Sequence, residues 1–114
     1  MKTLSFVVAL WVALLHGPFA TAAVAETVFT GDTIGGVRVI SQLDVNDLES
    51  GAKHRFLFRG VEMGTGQHWY VPVMVAKGAQ SGKKVLLAAG VHGDEVSPVA
   101  AIQQAFSELA PARM

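Results

Sequence analysis

Hydrophobic and polar positions alternate along two stretches in the middle of the chain. In His54–Met63 the apolar residues recur at about every second position, at Phe56, Phe58 and Val61. Residues 69–76 form a second stretch, rich in valine and aromatic residues, and a glycine-containing turn at 64–66 separates the two. A period of two predicts strands with one buried face. Pro72 has no N–H to donate, so we expect the second strand to lie at a sheet edge or to be bulged there.

The residues before this predicted hairpin are more polar and give weaker signals. Residues 26–36 are polar and contain glycine, which predicts a loose start without regular structure. Residues 37–40 alternate enough for a short strand. Residues 44–53 read as a loop or a single helical turn.

An apolar run without alternation follows the hairpin, at Lys83–Gly90, and its core is Val85 to Ala89. A strand buried on both faces of an α/β sheet has this pattern. Beyond it, Ser97-Pro98 predicts a helix start, with serine as N-cap and proline at the first helical position. The helix would present one apolar stripe and end at Pro111. The stripe consists of Val99, Ile102, Phe106 and Leu109.

These elements together predict an α/β fold that is incomplete within the sequence. The 114 residues allow one small domain at most. The predicted helix is placed as a crossover that should return to a second parallel strand, and the sequence stops before that strand. We therefore expect residues 26–114 to be the amino-terminal portion of a larger mixed sheet with a flanking helix.

The first 25 residues have the features of a cleavable signal peptide. Met1-Lys2 supplies a positive start, residues 4–15 are largely apolar, and Ala23-Val24-Ala25 is a small-residue cleavage site. A retained membrane anchor is the alternative, but the apolar run is shorter than the roughly 20 residues that span a bilayer. We expect export to the periplasm or secretion, with no stable membrane span after cleavage.

The charge balance and the cysteine content of the chain limit the partners and the covalent attachments that it can have. Nine basic residues balance nine acidic ones, and Lys83-Lys84 is the largest basic cluster, which argues against nucleic-acid binding. The chain has no cysteine, so disulfides and attachment through an acylated cysteine are both excluded.

The motif with candidate metal-ligating side chains is Gly90-Val91-His92-Gly93-Asp94-Glu95, directly after the predicted buried strand. Ligands bind at the carboxyl ends of strands in open α/β sheets. An imidazole nitrogen of His92 and a carboxylate oxygen of Glu95 are both good zinc ligands, and a tight turn through Gly90 and Gly93 would aim them at one point. Zinc bound there would activate a water molecule to attack a polarised amide carbonyl.

The string Ala88–Glu95 resembles the first zinc-binding motif of the succinylglutamate desuccinylase/aspartoacylase family, whose fold is related to the zinc carboxypeptidases. The upstream Trp-Tyr-Val-Pro-Val strand and the glycine-bounded hairpin at 78–82 are also similar, so the resemblance runs from about Arg55 to Met114. It implies zinc as cofactor, His92 and Glu95 as ligands, and Asp94 as a residue beside the metal. It also implies a small N-acyl amino acid or peptide-like substrate, hydrolysed at its amide bond.

The same resemblance implies that this sequence holds no complete catalytic site. The family's third ligand (a histidine), its substrate-binding arginine and its general-base glutamate all lie downstream of the motif, and no residue here matches them. We therefore expect the 114-residue chain to be inactive alone. A metallocarboxypeptidase shares the H-x-x-E pattern and stays open as an alternative, as does a non-catalytic exported remnant or binding module.

Each of the residues singled out above also has an interpretation in which its role is purely structural. Glu95 would be favourable near a helix N-terminus whether or not it binds metal, and Asp94 could cap that helix instead of lying beside the ion. We expect His54 and His68 to be surface residues. The aromatic residues of the two strands are expected to pack in the sheet; they are Phe56, Phe58, Trp69 and Tyr70.

Overall fold

A mixed four-stranded sheet with one α-helix forms the described part of the chain. The computed structural model describes residues 25–114, so the predicted signal peptide, apart from its last residue, lies outside it. The elements are β1 (Val28–Ile34), β2 (Val37–Gln42), β3 (Ala52–Glu62), β4 (His68–Lys77), α1 (Val96–Glu108) and a 3-10 turn (Pro111–Arg113). The sheet order is β1-β2-β3-β4; β2 and β3 run parallel, and the other neighbours are antiparallel. The α/β prediction is confirmed in this coarse sense.

The β3–β4 hairpin is where the sequence prediction and the structure agree best. Its register pairs Ala52 with Lys77 and continues to Arg59 opposite Tyr70. The Gly66 N–H closes the turn by donating to the Met63 carbonyl at 2.9 Å. Because β4 is the last strand of the sheet, the expectation that its proline would lie at an edge is confirmed.

The main core lies on one face of the sheet, beneath the loop that joins β2 to β3. Ile40, Leu48 and Phe56 are buried together there. The Phe56 ring also meets Phe29 edge-to-face at 6.0 Å between centroids. The Lys77 ammonium donates to the Leu48 carbonyl at 2.6 Å, which fastens the loop to β4. This core is small, as expected for about 90 residues without disulfides.

Helix α1 is fastened to the opposite face of the sheet by its carboxyl-terminal end. Phe106 is buried, and the Lys53 ammonium lies 5.2 Å from its ring centre while donating to the Ser107 carbonyl at 2.8 Å. The predicted apolar stripe becomes more exposed in both directions from Phe106: Val99 and Ile102 are half-buried, and Leu109 is exposed. The sheet thus holds the last turns of the helix and leaves the first turns free.

The predicted loose start at 26–36 is wrong, because β1 lies there. Gly35 and Gly36 adopt φ values of 57° and 81°, and the residues on either side, Ile34 and Val37, pair directly. Two consecutive residues with positive φ make the two-residue hairpin turn that matches strand twist. The Gly-Gly pair therefore signalled a hairpin that the polar side chains concealed.

The predicted buried strand at 83–90 is also wrong for the described structure. Residues 83–88 are exposed and form no strand, and no backbone hydrogen bond joins residues 81–91 to another described residue. A strand buried on both faces needs neighbouring strands and covering helices. Within residues 25–114 the sheet ends at β4, and this segment does not pair with the free edge of that strand.

The start of α1 differs from its prediction by two residues. Glu95 is the N-cap, it makes no side-chain capping bond, and Val96 is the first helical residue. Ser97 is therefore inside the helix and does not cap it. Pro98 still falls in the first turn, where a missing N–H leaves no helical bond broken. No helix within residues 25–114 is long and apolar enough to cross a membrane.

Candidate metal centre

A tight turn between the exposed apolar segment and α1 brings His92 and Glu95 together. Gly90 enters the turn with φ of 73°, a value that favours glycine. The Glu95 N–H then donates to the His92 carbonyl at 3.2 Å. This i to i+3 bond folds the backbone so that the two side chains project from the same side of the turn.

The spacing of the two side chains fits a tetrahedral zinc ion. His92 Nδ1 and Glu95 Oε1 lie 3.4 Å apart, which is long for a hydrogen bond or a charge-assisted pair. Zinc binds nitrogen and oxygen ligands at about 2.0–2.1 Å, and at tetrahedral angles two such ligands are about 3.3–3.4 Å from each other. The separation of the two atoms therefore matches the edge length of a zinc coordination tetrahedron.

The two candidate ligands are exposed, and the part of the chain that the structure describes places no third one beside them. Their side chains are 75% and 52% exposed for His92 and Glu95. Within residues 25–114 no group of three histidine, cysteine, aspartate or glutamate side chains is placed to hold a metal ion. A catalytic zinc site commonly takes three protein ligands plus water. The chemistry of the two side chains fits part of such a site.

The two glycines of the motif differ in what they contribute. A Cβ on Gly90 would lie 3.3 Å from a methyl of Val99, and the positive φ would strain any other residue. Gly93 has no positive φ, and a Cβ there would meet nothing within 4 Å. The expectation that glycine shapes this turn is confirmed for Gly90, whereas the geometry at Gly93 does not require it.

The other residues weighed from the sequence lie away from this pair or act differently. Asp94 does not cap α1, since Glu95 occupies the N-cap position. His54 and His68 are half-buried, so their prediction as surface residues is wrong. His54 lies on β3 with its Nε2 3.0 Å from the Glu49 carbonyl, and its ring stacks on Phe56.

The strand aromatics divide between core and surface. Phe56 is buried and Phe58 packs against the core, as predicted. Trp69 and Tyr70 are exposed, so the packing predicted for them is wrong. Both lie on the free edge strand near the hairpin tip, where no described element covers them.

Sequence reasoning did not anticipate an open groove of about 640 Å³ between the β2–β3 loop and the segment after β4. Its lining includes Asn46, Lys77 and Lys84, and neither His92 nor Glu95 belongs to it. The Lys77 ammonium is occupied, since it donates to the Asn46 and Leu48 carbonyls of the loop.

Comparison with protein-family models, curated proteins and solved structures finds no match to this chain. The case for a metal centre therefore rests on the motif and on the geometry of the two side chains.

Proposed function

We propose that this chain carries the first zinc-binding motif of an exported zinc-dependent amide hydrolase resembling the succinylglutamate desuccinylase/aspartoacylase family. His92 and Glu95 hold the ion, and a small N-acyl amino acid or similar amide is the substrate. The zinc carboxypeptidase-like fold belongs to the same proposal. When bound, the ion supplies a Lewis acid that polarises the amide carbonyl and lowers the pKa of a bound water molecule.

The observation that supports this proposal most directly is the 3.4 Å separation of His92 Nδ1 and Glu95 Oε1. The backbone bond between the same two residues and the left-handed Gly90 hold the turn in this shape before any metal arrives. A preformed pair of ligands lowers the ordering cost of binding. The turn orients the side chains, and their exposure leaves the remaining coordination positions open to water, substrate or another ligand.

The first experiment measures zinc binding by the purified 114-residue chain, in competition with a chromophoric chelator. We expect binding that weakens roughly tenfold or more in His92→Ala and in Glu95→Gln, since even residues that only orient zinc ligands contribute 10–100-fold. The matched controls are His54→Gln and Glu108→Gln, which remove an equivalent group from β3 and from α1. Equal zinc affinity in the unaltered chain and in all four variants would refute the metal site.

The second experiment tests hydrolysis. With two ligands and no assigned general base, the 114-residue chain should release no amino acid from N-acyl amino acids, with or without zinc. Turnover by this chain that disappears in His92→Ala would overturn that expectation. The intact mass of the native gene product should be measured first. A polypeptide long enough for a complete α/β hydrolase, roughly 30 kDa at about 110 Da per residue, should hydrolyse such substrates and lose activity in His92→Ala.

A second candidate is a non-catalytic exported zinc-binding module. The observation that favours it is the absence of a third ligand among residues 25–114. Native protein that binds zinc through His92 and Glu95 but hydrolyses no amide would support this candidate over the hydrolase.

A further inference from the structure

The predicted signal-peptide cleavage site lies directly before a residue that fastens the β2–β3 loop. Cleavage is expected after Ala25, and both Ala25 and Glu26 are exposed and outside any helix or strand. The next residue, Thr27, is half-buried and bound to the loop. We propose that a signal peptidase hydrolyses the Ala25–Glu26 bond, and that the α-ammonium group freed at Glu26 pairs with the Asp47 carboxylate and strengthens the attachment of the loop. The inference rests on the proposed export and is independent of the zinc pair.

Thr27 joins the start of the predicted mature chain to the loop through three hydrogen bonds. Its N–H donates to Asp47 Oδ2 at 2.6 Å. Its hydroxyl donates to the Asp44 carbonyl at 3.0 Å and accepts from the Asp44 N–H at 2.9 Å. The Gln42 side-chain amide also donates to the Glu26 carbonyl at 2.8 Å. Because the backbone is held at both Glu26 and Thr27, the Glu26 nitrogen has a defined place beside the loop.

Cleavage places a positive charge close to Asp47. Consecutive backbone nitrogens are about 3–3.5 Å apart, so the Glu26 nitrogen lies no more than about 6 Å from Asp47 Oδ2. In the uncleaved chain this nitrogen belongs to an uncharged amide. Hydrolysis breaks that amide bond: the water oxygen goes to the Ala25 carbonyl carbon, which becomes a carboxylate, and both water hydrogens end on the Glu26 nitrogen. The resulting α-amine is mostly protonated near pH 7.

The β2–β3 loop carries negative charge that this ammonium group offsets. Its ionisable residues are Asp44, Asp47 and Glu49, and all three are acidic. Like charges on so short a loop repel each other, and an opposite charge a few ångströms from Asp47 reduces that repulsion. The Lys77 ammonium already fastens the loop to β4 through the Leu48 carbonyl. The mature amino terminus fastens the same loop to the start of β1, and since Leu48 lies in the core, the core gains from both attachments.

Export of the 114-residue chain in a bacterial host tests the cleavage site. The exported product should lack residues 1–25, as shown by its intact mass and by sequencing from its amino terminus. A product cut at another bond, or no cut, would overturn the inference. Either result would leave the zinc-binding measurements on the purified chain to decide the proposed metal site separately.

The exported product then tests the ion pair in a two-by-two comparison. The α-amine is left free or is acetylated at about pH 6.5, where lysine side chains stay protonated. Asp47 is kept or replaced in Asp47→Asn, whose amide oxygen can still accept the Thr27 N–H. We expect acetylation to raise the unfolding equilibrium constant in urea about two- to fivefold in the unaltered product, as for a partly exposed ion pair, and to change nothing in Asp47→Asn.

Asp32→Asn is the matched control, because it removes an equivalent charge from β1. It should respond to acetylation as the unaltered product does. An equal response in the unaltered product and in Asp47→Asn, or no response in either, would overturn the pairing of the mature amino terminus with Asp47.

Discussion

Replacing Leu86 by alanine tests whether the apolar run at 83–90 is part of the folded core. The sequence pattern predicts a buried strand, and removing a buried leucine side chain costs about 2–5 kcal/mol. In the structure Leu86 is 91% exposed. Full burial of a leucine is worth roughly 1.5–3 kcal/mol, so the remaining tenth of its surface corresponds to about 0.2 kcal/mol. We expect Leu86→Ala to change the free energy of unfolding by no more than that.

Phe56→Ala is the matched comparison, because Phe56 is almost fully buried between Ile40 and Leu48. Truncation there should cost about 3–5 kcal/mol, enough to unfold much of a domain with so small a core. Both variants are measured by urea unfolding of the 114-residue chain, followed by far-ultraviolet circular dichroism. A loss above about 1 kcal/mol in Leu86→Ala would refute the exposed placement of the segment and support a buried strand.

Three further substitutions probe the loop, the helix and the turn. Lys77→Met removes the ammonium that donates to the Leu48 and Asn46 carbonyls, and should lower the free energy of unfolding by about 1–3 kcal/mol in the same urea assay. Phe106→Ala should release α1 from the sheet and reduce the helical circular dichroism signal; an unchanged signal would show that the helix is held otherwise. Gly90→Ala should weaken zinc binding, because it strains a left-handed position and crowds Val99, whereas the control Gly93→Ala should bind zinc normally.

The elements that the sequence predicted well are those whose signals are local. In β3 and β4 the alternating side chains and the intervening glycine turn lie within 26 residues, and each strand supplies the other's hydrogen bonds. The His92–Glu95 pair is local too, because a turn of four residues decides whether the two side chains meet. Such features can be predicted with little knowledge of the rest of the fold.

The errors come from features that depend on partners distant in the sequence. Whether residues 83–90 form a strand depends on a neighbouring strand, and periodicity cannot report whether one is present. The polar β1 is a strand because β2 pairs with it through the Gly35-Gly36 turn, and the side-chain pattern gave no sign of that pairing. Trp69 and Tyr70 are exposed for a related reason: β4 is an edge strand, and no described element covers its tip.

The His92–Glu95 pair lies apart from the core, and this separation leads to a last prediction, on stability. A ligand that binds only the native state raises stability by about 2.7 kcal/mol when its concentration is 100 times its dissociation constant. That gain requires the binding site to be lost when the core unfolds. Here the pair is formed by the 90–95 turn, which has no backbone hydrogen bond to the sheet, and α1 is fastened only at its far end. Zinc at 100 times its dissociation constant should therefore raise the free energy of unfolding of the sheet, measured by urea unfolding, by much less than about 2.7 kcal/mol. A full shift in the unaltered chain, absent in His92→Ala, would show that the turn and the core fold as one unit, contrary to the arrangement described here.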